Sequence, residues 1–269
     1  MNILEEIISH KKKEVEENKA LFPVKLLEKS LYFDGTPVSL RKYIQRPDRV
    51  GVIAEIKRKS PSKGDINRHV NVEATSIGYM QAGASGLSIL TDSKYFGGSN
   101  KDLEKARKFN FCPILRKDFI IDEYQILEAK SIGADVILLI AAALQAEEIK
   151  NLSTLANSLG LEVLLEVHNE EELNRSVVGK IDLIGVNNRN LQTFETSIET
   201  SKALSEKIPT EFVKVAESGI SDPQVVADLM GYGFEGFLIG EHFMQYGEPQ
   251  RACRNFIKSV KSLTDKVPA

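Results

Sequence analysis

PILRKDFIIDEYQILEAKSIGADVILLIAAALQAEEIKNLSTLANSLGLEVLLEV, residues 113–167, decides how the chain folds. Three short apolar runs, 113–115, 136–140 and 162–167, are separated by two longer amphipathic stretches, 123–131 and 146–158. Apolar residues recur in those stretches at helical spacing. The run 136–140 is apolar at every position, which suits a strand covered on both faces, as a parallel sheet requires. Strand, helix and parallel strand make a βα unit, and this stretch repeats it.

The same rhythm extends both ways. Apolar runs at 50–56, 86–90, 183–186, 212–216 and 236–239 complete eight strand candidates, and stretches at 72–81, 103–108, 170–176, 197–207, 223–230 and 250–262 supply the remaining helices. Ser221-Asp222-Pro223 offers an N-cap followed by proline at the first helical position. Strand starts recur about every 25–30 residues, the length of one unit in an eightfold barrel. Gly83-Ala84, Gly133-Ala134 and Gly233-Phe234 precede even-numbered strands and hint at an internal repeat of two units. The predicted fold is α/β, a (β/α)8 TIM barrel. A doubly wound open sheet is the alternative, but no GxGxxG follows the first strand.

The first residues differ. Ile3, Leu4, Ile7, Ile8, Val15 and Leu21 fall near helical spacing with lysine and glutamate between them, an amphipathic helix with a solvated charged face. Further helices are expected at 23–29 and 39–44. A segment this short and poor in large apolar groups is marginal alone. Residues 1–48 are therefore read as an N-terminal helical extension packed on the barrel, and 49–269 as the catalytic barrel, one structural domain overall.

Of the 269 residues 42% are hydrophobic, and 35 basic against 38 acidic groups leave a net charge of −3. That supports a full core. A near-neutral balance without a basic region argues against nucleic-acid binding. Two cysteines, Cys112 and Cys253, make no disulfide framework and suggest a reducing compartment. The first residues carry glutamates where a signal peptide needs an apolar core. No apolar run approaches the roughly 18 residues of a membrane span. A cytoplasmic protein is expected, without a membrane partner. No exposed apolar stripe is evident, so a monomer is expected.

In such a barrel, chemistry collects where strands end. Glu55 and Lys57 close the first strand two residues apart, on one face. Lys117, Glu166, Asn187 and Glu217 close the third, fifth, sixth and seventh. Burying lysines and glutamates together is costly unless they pair, and such clusters drive pKa values apart for acid–base work. Ser218-Gly219 and Gly240, after the last two strands, sit at the usual barrel phosphate site, and Ser60 could add a hydroxyl from the first loop. The histidines, His10, His69, His168 and His242, lack metal-ligand spacing. His168, just beyond Glu166, could line the mouth but is read as a surface residue, and Cys112 as buried at the wrong strand end for a nucleophile. The Gly-rich aromatic loop at 95–99 could cover an aromatic substrate or simply turn the chain.

The strings IAEIKRKSPSKG, LTDSKYFGGS, PILRKDFIID, LLEVHNEEEL, IGVNNRNL, AESGI and FLIGE together resemble the indole-3-glycerol phosphate synthases over about residues 40–256. The resemblance implies ring closure, decarboxylation and dehydration of 1-(2-carboxyphenylamino)-1-deoxyribulose 5-phosphate in tryptophan biosynthesis. It implies a small phosphosugar substrate, with no cofactor and no metal. It makes Lys117 the general acid and Glu166 the base, with Glu55 and Lys57 a second acid–base pair. Asn187 and Glu217 would orient sugar hydroxyls, and Arg189 and Lys57 would hold the anthranilate carboxylate. Phe96, Phe119, Leu138 and Leu238 would pack the ring, and Ser60, Ser218, Gly219 and Gly240 would hold phosphate. Glu241, where some relatives have serine, is excluded from phosphate binding because a carboxylate repels it. Three rivals remain: a phosphoribosylanthranilate isomerase, a Schiff-base aldolase using Lys57 or Lys117, and a non-catalytic phosphosugar-binding barrel.

Overall fold

The parallel strands close on themselves. The computed structural model describes residues 2–191 and 193–264; the last five residues of the 49–269 span lie outside them. Among the described residues, strand β1 (Val52–Ile56) is followed by a hairpin of β2 (Lys59–Ser60) and β3 (Gly64–Asp65). Then come β4 (Gly86–Leu90), β5 (Ile114–Lys117), β6 (Val136–Ile140), β7 (Glu162–Val167), β8 (Leu183–Asn187), β9 (Val213–Glu217) and β10 (Gly236–Ile239). β1 and β4–β10 form the closed barrel in sequence order, and β10 pairs back onto β1 through Val52–Phe237 and Ala54–Ile239. Closure leaves the barrel no free edge.

The helices begin with α1 (Ile3–Leu21), α2 (Val24–Leu27) and α3 (Leu40–Ile44) ahead of the barrel. Then α4 (Val72–Ala82), α5 (Asn100–Phe109), α6 (Glu123–Ser131), α7 (Ala146–Ser158), α8 (Glu170–Ser176), α9 (Glu199–Ser205) and α10 (Pro223–Gly231) follow successive barrel strands. β10 is followed by the short α11 (Glu241–Met244) and by α12 (Pro249–Thr264). Helix starts are set by side chains: Asn71, Ser99, Asp122, Asn169 and Asp222 each accept a backbone N–H of the first turn. Gly83, Gly133 and Gly233 have positive φ, as their helix-end turns demand, but so do Gly160 and Gly179 before β7 and β8. The glycine turns are therefore not confined to alternate units.

Two apolar shells result. Ile53, Leu115, Leu138, Leu164, Leu183, Val215 and Leu238 fill the barrel interior, and the outer faces of the strands pack on the helices. α3 plugs the interior from below with the buried Leu40 and Ile44, each worth ~1.5–3 kcal/mol by burial. Leu40 is seated where Gly86 lacks a side chain; a Cβ there would lie 2.7 Å from its Cδ1.

The structure corrects several expectations. The third strand runs on to Lys117, and the helix expected at 103–108 spans Asn100–Phe109. α2 is shorter than 23–29 because the following turn at 28–33 is closed by local backbone bonds. The charged face of α1 is not wholly solvated: Lys11 is fully buried, 3.1 Å from Asp92 and 2.9 Å from Asp118. Leu21 is 68% exposed rather than packed, and with Phe22, Val24, Leu26 and Leu31 forms an exposed apolar segment that periodicity did not reveal.

Candidate active site

At the C-terminal end of the barrel a cavity of about 770 Å³ opens, and every residue named from the sequence as catalytic or substrate-binding lines it. The strand ends aim six polar groups inward. Near the end of β1, Glu55 Oε1 lies 2.8 Å from Nζ of Lys57, just beyond the strand. β5 ends in Lys117, whose ammonium donates to Glu166 Oε2 at 2.9 Å and lies 3.2 Å from Glu217 Oε2. From the end of β8, Asn187 Nδ2 donates to Glu166 Oε1 at 3.0 Å. Lys117 is thus clamped between two carboxylates, one of which is braced by an amide.

Glycines make room for this crowd. A Cβ at Gly185 would lie 2.2 Å from Glu217 Oε1, and one at Gly240 would lie 2.3 Å from Glu55 Oε1. Burial alone would lower the Lys117 pKa, but Glu166, Glu217 and Glu55 outweigh it and raise it, so the side chain stays an ammonium. The same burial would raise Glu166, but Lys117, His168 and Asn187 hold it down as a carboxylate. Glu217 moves the other way, pushed up by burial, with Lys117 opposing and Glu166 adding to the rise. Two carboxyl groups on one ammonium are therefore split in proton affinity.

The rim divides by chemistry. Phe96 and Phe119 stand 6.0 Å apart, and Leu138 and Leu238 lie at the floor, giving an apolar slot. Opposite, Ser60, Ser218, Gly219 and Gly240 present hydroxyls and backbone. Ser218 and Gly219 have φ of 67° and 72°. For serine that is strain, of order 1–3 kcal/mol, of the kind held at ligand sites. Arg189 points toward the rim, its guanidinium 3.4 Å from Glu241 and donating to the Phe194 carbonyl at 3.1 Å. Glu241 also lies 3.6 Å from Lys63, so its carboxylate is turned onto cations.

Sequence reasoning missed part of the wall. Ile3, Leu4 and Ile7 of α1 line the cavity, as do Phe194, Thr196 and His242. The spacing of the first three marked an apolar face, but not the surface that face covers. His168 is a correction: it is not a surface residue. It is mostly buried, with Nδ1 3.1 Å from Glu172 and Nε2 3.5 Å from Glu166. Cys112 and Cys253 are buried away from the cavity, their thiols pushed up to about 12 by burial. Among the described residues no group of three or more His, Cys, Asp or Glu is arranged to hold a metal ion, and no helix is long and apolar enough to cross a membrane.

A closed parallel barrel with lysines and glutamates paired at its mouth defines an acid–base barrel enzyme. Solved structures share the fold: one titled "Native KDPGal structure" matches with a TM-score of 0.59 at 15% identity, covering 82% of this chain and 97% of that one. Another, "Crystal structure of KGPDC from Streptococcus mutans", matches at 0.60 and 13%, covering 80% and 98%. The family is set by sequence. The model for indole-3-glycerol phosphate synthase matches residues 4–256. The indole-3-glycerol phosphate synthase of Bacteroides thetaiotaomicron is 49% identical over 97% of this chain and 99% of its own length. That of Campylobacter fetus is 42% identical over 96% and 99%. The chain belongs to the indole-3-glycerol phosphate synthase family. It is a carboxy-lyase of tryptophan biosynthesis, acting on 1-(2-carboxyphenylamino)-1-deoxyribulose 5-phosphate.

Proposed function

We propose that Lys117 is the general acid of ring closure and Glu166 the base of dehydration. The clamp of Lys117 between Glu166 and Glu217 carries this reading. As the ring carbon bearing the carboxylate attacks C2, negative charge gathers on the C2 oxygen. An ammonium fixed in a cavity stabilises it without reorganising. An alkoxide is a stronger base than an amine, so the proton moves to it although the Lys117 pKa is raised. Loss of CO2 then restores the aromatic ring. The C2 hydroxyl takes a second proton and leaves as water, and Glu166, held ionised, removes a proton from C1.

The other residues bind and orient. Glu55 and Lys57 form the second acid–base pair, and Asn187 and Glu217 orient sugar hydroxyls. Arg189 and Lys57 face the anthranilate carboxylate. The slot of Phe96, Phe119, Leu138 and Leu238 takes the ring. Ser60, Ser218, Gly219 and Gly240 hold phosphate through hydroxyl and backbone N–H groups. Lys117 held as an ammonium disfavours a Schiff-base role, which needs the free amine. All groups in the scheme line one cavity that is complete within a single chain, which supports a monomer as the working unit, with 1–48 as its extension and 49–269 as its barrel; two buried free cysteines support a cytoplasmic setting. Indole fluorescence of the product in the presence of EDTA tests the scheme. Glu166→Gln should lose most turnover with an unchanged melting temperature; loss of the fold instead would make Glu166 a structural residue.

A further inference from the structure

The reaction has a proton balance that the scheme must satisfy. The C2 oxygen receives two protons before leaving as water, C1 gives up one, and the carboxylate leaves as CO2. Each turnover therefore consumes one proton from outside the substrate.

Beside the substrate cavity lies a second one, of about 580 Å³, lined by His168, Asn169 and Glu172. Asn187 and Arg189 line both cavities; Glu166 lines only the first and His168 only the second. His168 thus stands in the wall between them. Its ring is fixed at one end: Glu172 Oε2, near the start of α8, accepts the His168 backbone N–H at 2.8 Å and lies 3.1 Å from Nδ1. Nε2 is buried and makes no hydrogen bond among the described residues, yet looks onto Glu166 Oε1 at 3.5 Å.

Resting on Glu166 as the proton-exchanging base, we propose that His168, oriented by Glu172, is the relay through which the proton consumed in each turnover enters the site. The imidazolium gives its Nε2 proton to the Glu166 carboxylate and is left as the neutral Nδ1–H tautomer that Glu172 holds. The Glu166 carboxyl turns and gives the proton to the neutral Lys117 amine, remaking the ammonium. The ring then swings toward the side cavity that His168 lines, where water restores the Nε2 proton. The charged groups around the ring favour this cycle. Burial opposes the imidazolium, but Glu172, Glu166 and Glu217 outweigh it and raise the His168 pKa. Lys117 faces it only across Glu166. His168 acts through Glu166 and is a positioning and relay residue.

The test compares His168→Gln, His168→Ala and Glu166→Gln by product fluorescence, with folding checked by circular dichroism melting. Glutamine keeps an amide near Glu166 but cannot carry a proton. Both His168 variants should lose kcat by roughly tenfold or more, with KM within about twofold of wild type. Their kcat–pH profiles should lose a limb in the neutral range. Added imidazole should restore kcat to His168→Ala in a dose-dependent way and leave Glu166→Gln inactive. Wild-type turnover in both His168 variants, or a deficit that imidazole does not touch, overturns the relay while leaving Glu166 as base. Wild-type turnover in Glu166→Gln instead removes the base assignment, and the relay with it.

Discussion

At the C-terminal end of the barrel buried charges face one another; at the N-terminal end they face backbone. Below, Asp135 accepts the N–H groups of Val38 and Ile114, both at 2.7 Å, and pairs with Arg107. Glu162 accepts the N–H groups of Leu40 and Arg41 and the Ser39 hydroxyl. These carboxylates staple the extension to the strand starts, and among the described residues none of their own oxygens is buried without a partner. Above, Lys117 is shared by two carboxylates, while Glu217 Oε1 and His168 Nε2 have no hydrogen-bond partner among the described residues. Groups saturated by backbone hold a fold; groups left partly unsatisfied around a cavity are available to a substrate.

Substitutions at the two ends should separate turnover from stability. Lys117→Ala should lower kcat of the folded protein by ~10²–10⁴-fold, water from the open cavity taking the place of the ammonium beside the two carboxylates; near-normal kcat would remove it as the acid. Asp135→Ala should do the reverse. It strands two buried N–H groups, while Arg107 keeps the Gly133 and Asn110 carbonyls, at a cost of about 3 kcal/mol, read from urea unfolding, with kcat of the folded fraction unchanged. A fall in kcat there would mean that the two ends are coupled.

The pH dependence sharpens the contrast at Asp118, one residue beyond Lys117. Burial would raise its pKa, but Lys11, Arg116 and the Thr91 hydroxyl hold it at about 2, against 3.8 unperturbed. A pKa lowered on folding adds stability that is complete above the unfolded value and is lost as pH falls toward the folded one. That amounts to roughly 2 kcal/mol, lost between about pH 4 and 2. Melting followed across that range should show the loss in wild type and a flatter curve for Asp118→Asn; equal slopes would refute it. The smallest effect is expected at the rim. Ser60→Ala removes one hydroxyl from the phosphate side and should raise KM by about tenfold or less, ~1 kcal/mol, with kcat retained; unchanged KM would take Ser60 out of the phosphate site.

What could be read from the sequence follows from what is local. Continuous apolar runs and their spacing located all eight barrel strands, because a strand buried on both faces must be apolar throughout. The inward groups could be named because the barrel places strand ends at one mouth, so Glu55, Lys117, Glu166 and Glu217 needed no distances to be grouped. Three features depended on the folded geometry. Lys11 looked solvated because its partners, Asp92 and Asp118, belong to other units. His168 looked exposed because Glu166 and Glu172 bracket it only once β7 passes into α8. The apolar face of α1 gave its own direction and not the cavity it would roof. The β2–β3 hairpin and α11 have too few residues to show a period.

The path of the extension also sets an order of assembly. Its first helix is tied to Asp118 and its third to Glu162, so the extension, made before the barrel, finds these partners only once strands well beyond it have been made. During synthesis residues 1–48 must therefore wait, undocked, for strands still to come. Until β5 and β7 are in place, the roof of the cavity and the plug of the barrel have no structure to close.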